Sequence, residues 1–205
     1  MYQTYQIEGI ILKSANFGES NKYLFVITEE FGLIKITAQG LRNLRSKLRY
    51  GLQEFSVVQL SIVRGRGAWR LINAIYDKNL YFSLAKNRGK LIIANSVLNL
   101  LTQLLPGEER NEDLYKVIRE ALSFLEENDF SSEDIKSFEN IIVVRILYCL
   151  GYFDKKKAVN KDIEYSSFLN LTEWNQDLLE KMRKGEVNRQ VIFDINNSLQ
   201  SSQLC

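Results

Sequence analysis

The 205-residue chain contains no histidine, two cysteines and a single proline. Each scarcity removes a class of function. Without imidazole there is no histidine general base, no Ser-His-Asp triad and no zinc site that needs a ring nitrogen. Cys149 and Cys205 cannot supply an all-thiolate zinc site. One sits in an apolar run and the other at the last position, which does not read as a disulfide framework. A reducing cytoplasm is the expected compartment. One proline and 11 glycines leave little room for long linkers. No apolar run reaches the ~18 residues that a membrane span needs. The start, Met1-Tyr2-Gln3-Thr4-Tyr5, lacks the basic and apolar regions of a signal peptide. A P-loop, a glycine-rich nucleotide fingerprint and a paired acidic motif on adjacent strands are also missing. No enzyme and no cofactor is expected. Asp129, Glu133 and Asp134 fit a helix N-terminus better than a metal site.

What is present is an uneven charge. The net charge of +2 divides into +5 over residues 1–80 and −3 over residues 81–205. Between Gly40 and Arg70 lie Arg42, Arg45, Lys47, Arg49, Arg64, Arg66 and Arg70, against Glu54 alone. A basic patch on a near-neutral chain points to a polyanion at that patch. The plainer reading is a solvated loop with extra arginines.

The first 80 residues alternate with the period of strands. Gln6 to Lys13, Lys22 to Thr28, Leu33 to Gln39, Phe55 to Arg64 and Trp69 to Tyr76 are predicted strands. The second carries Leu24 and Val26 on one side, the third Ile34, Ile36 and Ala38, and the fourth Val58, Leu60 and Ile62. Gly40 to Gly51 is a polar, basic loop, and Gly65-Arg66-Gly67 a hairpin turn. Five strands in so short a segment fit a closed barrel, because closure removes exposed edges. The OB-fold is the first candidate and an SH3-like barrel the alternative. After residue 80 the period becomes helical. Helices are predicted over Ala85 to Leu105, Glu112 to Glu127, Ser131 or Ser132 to Leu150, Asn175 to Arg183 and Val187 to Gln200. The third is apolar nearly all round and so central, with Gly151 as its C′ residue. The expected class is α+β: a five-stranded OB-fold barrel over residues 1–80, then an all-helical domain over 81–205.

A series of short blocks carries a resemblance. Glu8-Gly9-Ile10-Ile11-Leu12-Lys13 leads into Phe17-Gly18-Glu19-Ser20-Asn21-Lys22. Then come Ile27-Thr28-Glu29-Glu30-Phe31-Gly32-Leu33, Ala38-Gln39-Gly40-Leu41-Arg42 and Ser46-Lys47-Leu48-Arg49. Leu52-Gln53-Glu54-Phe55 and Arg64-Gly65-Arg66-Gly67 complete the barrel. In order and spacing the series resembles the RecO family of DNA repair and recombination mediators. Phe138-Glu139 to Leu147, then Leu150-Gly151-Tyr152, is similar to a further family element. Many members carry a four-cysteine zinc site after it. Here Phe153-Asp154-Lys155-Lys156-Lys157 follows. The family's Leu-Gln-Pro-Phe reads Leu52-Gln53-Glu54-Phe55, and the segment after 151 looks short for the family.

The resemblance implies a non-enzymatic mediator. It would bind single- and double-stranded DNA, anneal complementary strands and help a recombinase load, in the cytoplasm of a bacterium beside the nucleoid. Its implied partners are RecR and the acidic tail of the single-stranded-DNA-binding protein. The residues offer a physical basis in Arg42, Arg45, Lys47, Arg49, Arg64, Arg66 and Arg70 for phosphates, with Tyr50 the aromatic expected to be exposed. Tyr23, Phe25 and Trp69 are further stacking candidates, with core packing the plainer reading for Phe25 and Trp69. Whether the loop and the hairpin converge or lie at opposite ends stays open. Lys155-Lys156-Lys157 is either a second phosphate contact or a solvated run. Arg145, inside an apolar helix, either pairs with a carboxylate or lines a groove for an acidic peptide. The competing reading is an adaptor that uses the same barrel for a protein partner or for RNA.

Overall fold

The computed structural model describes residues 3–65, 67–153 and 165–201. Five strands come first: β1 (Thr4–Phe17), β2 (Asn21–Thr28), β3 (Gly32–Ala38), β4 (Ser56–Arg64) and β5 (Trp69–Asn79). They close into a barrel in the order β1-β2-β3-β5-β4. All pairings are antiparallel except the short parallel one between β3 and β5, at Ile36–Trp69 and Thr37–Arg70. This is the topology of an OB-fold. The 14-residue β1 makes closure possible. Its first half pairs with β4, from Thr4–Val63 onwards, and its second half with β2, ending at Phe17–Asn21. At Gly9, within the overlap, a Cβ would stand 2.4 Å from Val26 Cγ1, so glycine lets the strands approach there.

The alternation read from the sequence sets the core. Ile7, Ile11, Leu24, Val26, Ile34, Ile36, Val58, Leu60, Ile62 and Trp69 point inward. Strand β5 departs from simple alternation. A bulge falls between the pairs Ser61–Asn73 and Ile62–Leu71, so Leu71 and Ala74 face the core while Asn73 and Ile75 are exposed. Tyr5, Phe31 and Trp69 pack together on the core, with ring centroids 4.9–5.4 Å apart. The segment joining β3 to β4 packs Leu41, Leu48 and Leu52 on the same core and contains a 3-10 turn, Lys47–Arg49.

The helices are α1 (Leu80–Leu84), α2 (Arg88–Leu104), α3 (Glu112–Glu127), α4 (Ser132–Cys149), α5 (Tyr165–Phe168), α6 (Gln176–Arg183) and α7 (Gly185–Ser201). The short α1 and α5 carry too few apolar positions to show a period in the sequence. By compactness, residues 1–86 with 98–112 form one unit, and residues 87–97 with 113–205 a second. In the first, Arg64 pairs with Glu108, and Gly32 (φ +64°) lies so close to the Glu109 carbonyl that a Cβ would overlap it. In the second, α4 packs against α5, α6 and α7. Ser131 caps α4 in a capping box with Asp134, and Gly151 follows it at φ +75°. Phe124, Phe130, Phe138 and Trp174 form an aromatic cluster beside α4. No helix among the described residues is long and apolar enough to cross a membrane.

Candidate nucleic-acid interface

The basic loop is built on the turn between β1 and β2. Gly18 (φ +59°) and Gly40 (φ +65°) make the two reversals. The Arg42 N–H donates to the Ser20 carbonyl (2.9 Å), and Arg42 Nη1 donates to the Gly18 carbonyl (3.0 Å). The Gly40 N–H donates to Asn21 Oδ1 (2.9 Å). Arg42, Arg45 and Lys47 are exposed and Arg49 is half-buried. The Arg49 guanidinium carbon lies 5.9 Å from the centre of the Tyr50 ring. Tyr50 is 79% exposed, as its setting in a polar loop predicts. No carboxylate pairs with Arg42, Arg45, Lys47 or Arg49 among the described residues.

The other arginines are placed differently. The β4–β5 turn stands at the Thr4 end of β1, whereas the basic loop is bound to the turn at the Phe17 end. The two basic elements therefore lie at opposite ends of β1. Arg64 is paired with Glu108, and its guanidinium carbon sits 4.8 Å from the Trp69 ring centre. Arg66 lies outside the described residues, as do Lys155-Lys156-Lys157. Arg70 reaches towards the loop: it is exposed, and its Nη2 donates to Gln39 Oε1 (3.2 Å), next to Gly40.

Between them lies a surface that counting arginines did not reveal. Outside the barrel, β1, β2 and β3 align Lys13, Phe25 and Lys35 in one row, and Ala15, Tyr23 and Thr37 in the next. Arg70 continues the second row on β5. The Lys35 ammonium stands 3.8 Å from the Tyr23 ring centre and 5.9 Å from that of Phe25. Phe17 stacks on Tyr23 at 4.5 Å. The signal was present in the alternation, since a lysine between Ile34 and Ile36 must face outward. Trp69 is 2% exposed and belongs to the core, whereas Phe25 is half-buried on this outer face. Aromatic rings interleaved with ammonium and guanidinium groups can stack bases and hold phosphates, and the β2–β3 face is where OB-folds take oligonucleotides.

Two clefts flank the 3-10 turn. Lys22, Leu41, Arg42, Arg49 and Gln53 line one of about 320 Å³. The other, of about 530 Å³, is apolar and lined by Leu48, Tyr50, Leu52, Ala74, Tyr76 and Phe82, with Lys47 beside them. In the helical unit, Arg145 meets neither expectation. It is fully buried, Nε donates to the Phe168 carbonyl and Nη2 to the Glu173 carbonyl (2.8 Å each), and the guanidinium carbon lies 4.2 Å from the Trp174 ring centre. Burial lowers its pKa to about 10 against the opposing pull of Glu173. It ties backbone together and lines no surface groove.

Known proteins share this domain. Residues 1–75 match the family model described as "Recombination protein O N terminal". The chain is 35% identical over 127 residues to a DNA repair protein RecO of Gloeothece citriformis, covering 62% of this chain and 44% of that one. Against its Trichodesmium erythraeum counterpart the identity is 33% over 141 residues, covering 69% and 49%. Against that of Caldicellulosiruptor bescii it is 27% over 161 residues, covering 78% and 66%. The chain thus spans about half the length of the curated relatives it matches. The barrel residues are thus similar to the N-terminal domain of recombination protein O, and the relatives extend the likeness to RecO proteins into the helices.

Proposed function

We propose that this protein is a DNA-binding mediator of recombinational repair that makes and breaks no covalent bond. It holds single-stranded DNA, binds duplex, anneals complementary strands and assists recombinase loading at the nucleoid. The observation that carries the reading is the set of four cations, Arg42, Arg45, Lys47 and Arg49, without a carboxylate partner among the described residues. Unpaired cations held on a fixed loop repel one another, and a phosphate chain relieves that repulsion while releasing counterions. The row of Tyr23, Phe25 and Lys35 supports the same reading by offering stacking platforms with no base-reading pattern. RecR and the acidic tail of the single-stranded-DNA-binding protein are proposed as partners on the family resemblance alone.

The test is a titration of labelled single-stranded DNA at several salt concentrations. Affinity should fall steeply with salt and depend little on sequence. Arg42→Ala with Arg45→Ala should weaken binding and annealing at unchanged melting temperature. The log–log salt slope should shrink by about 0.7 for each phosphate that the variant no longer neutralises. A double variant that matches the parent in affinity and slope would remove the loop from the site. A second reading, a protein-docking adaptor, rests on the apolar cleft at Tyr50, Tyr76 and Phe82. Salt-insensitive or undetectable DNA binding would favour it.

A further inference from the structure

The smaller cleft has a composition that a track for a nucleic-acid backbone does not require. Lys22 shares inward parity with Leu24 and Val26, but it lies at the start of β2, so its ammonium reaches the mouth of the barrel instead of the core. There it meets Arg42 from the β3–β4 segment and Arg49 from the 3-10 turn, with Gln53 beside them and Leu41 at the base. Three cations thus line one space of about 320 Å³.

Their positions are fixed by other contacts. Arg42 is held through its backbone N–H and Nη1 to the carbonyls of Ser20 and Gly18. Lys22 Nζ donates to Ser14 Oγ (3.3 Å). The carboxylate in this network, Glu54, accepts from the Ser14 N–H (2.9 Å) and hydroxyl (3.4 Å) and so stands one hydroxyl away from Lys22. Gln53 Nε2 donates to the Arg49 backbone carbonyl and so holds the side of the cleft. One guanidinium N–H is committed to Gly18, and among the described residues the remaining donors of the two guanidinium groups have no acceptor.

We infer that this cleft is a phosphomonoester site. A phosphodiester inside a strand carries one negative charge and two free oxygens. A monoester carries about −1.5 to −2 at neutral pH and three strong acceptor oxygens. Three cations in one concave space match the second better than the first, and two arginine forks with one ammonium suit its oxygens. The group can be the 5′ or 3′ phosphate at a strand end, or a free phosphate. The strand as source rests on the nucleic-acid reading above; the chemistry of the cleft does not.

The experiment compares one single-stranded sequence with a 5′ phosphate, a 3′ phosphate or hydroxyls at both ends, binding to the full chain at constant ionic strength. Inorganic phosphate serves as competitor and as sole ligand in a calorimetric titration. One phosphorylated end should bind about three- to tenfold tighter than the hydroxyl strand, and inorganic phosphate should erase the difference. The preferred end identifies the source, and calorimetric binding of phosphate without an end preference identifies free phosphate. Lys22→Gln with Arg49→Gln should abolish the preference. Equal affinity for all three strands together with no heat from phosphate overturns the inference on the parent protein alone. A preference that survives the double variant overturns its assignment to this cleft. The hydroxyl strand reports separately on the DNA-binding reading: no binding to it, beside saturable phosphate binding, would sink that reading and leave the cleft standing.

Discussion

At the scale of single residues, charge behaves in opposite ways in the two units. The loop arginines are exposed or half-buried and have no carboxylate partner among the described residues, whereas Arg145 is wholly enclosed and spends two donors on backbone carbonyls. Its Nη1 and the Trp174 Nε1 are both buried without a hydrogen-bond partner among the described residues. Removing the side chain would strand the Phe168 and Glu173 carbonyls and open a void against Trp174. Arg145→Ala should therefore lower the free energy of unfolding by about 3 kcal/mol or more. Arg145→Met, which keeps most of the volume, should cost less. Urea unfolding checks both, and a parental midpoint for the alanine variant would contradict the role. One turn further along α4, burial pushes the Cys149 thiol up to about 12, helped by Asp113 and opposed by Arg145. The reactive thiolate is then scarce near neutrality. Alkylation of Cys149 at pH 8 should run at least about a hundredfold slower than that of an ordinary thiol. Peptide mapping distinguishes it from Cys205, and rapid labelling in the folded protein would contradict the burial.

At the scale of elements, the start of α4 shows how local chemistry and long-range pairing combine. Burial raises the pKa of Asp134. Hydrogen bonds from the Ser131 hydroxyl, from Arg183 and from the Ser131 N–H outweigh that and leave the carboxyl below its ordinary value. A folded-state pKa below the unfolded one gives stability that is present above the ordinary carboxylate value and is lost as pH falls through the lowered one. Asp134→Asn should destabilise the protein by a constant amount at neutral pH. The gap from the parent should narrow as pH drops below the ordinary carboxylate range. Melting temperatures of both proteins across that range test this, and a gap that stays level into acid would exclude Asp134 as its source. A helix start was visible in Ser131 or Ser132 followed by Glu133 and Asp134. The pairing of Asp134 with Arg183 was not, because 49 residues separate the partners.

At the scale of the molecule, the barrel draws on sequence beyond its strands. The compact unit that holds it includes residues 98–112, which supply the Glu108 partner of Arg64 and the backbone against which Gly32 packs. A fragment of residues 1–80 should consequently melt at a lower temperature than one of residues 1–112. Equal melting would show that the added segment contributes nothing to the barrel. The contrast between a +5 segment and a −3 segment also acquires a meaning that depends on folding. Among the barrel's arginines, Arg64 is neutralised by its own chain, whereas Arg42, Arg45 and Arg49 have no carboxylate partner among the described residues.

The sequence by itself determined the class of fold, the change of period near residue 80, the inward faces of three strands, the start and stop of α4, and the exposure of Tyr50. Each depends on residues a few positions apart, through side-chain period, glycine conformation or capping bonds, and such information is local. The blocks from Glu8 to Gly67 carried the resemblance for the same reason, since their spacing is written along the chain. Only tertiary structure decided which charges act together. Closure of the barrel set the two basic elements at opposite ends of β1, joined Arg64 to Glu108 and brought Lys22 to Arg42 and Arg49. The bulge in β5 turned Ala74 inward and left Ile75 outside. Coulomb interactions depend on distance in space, and a strand pairing that spans tens of residues sets those distances without leaving a period in the sequence.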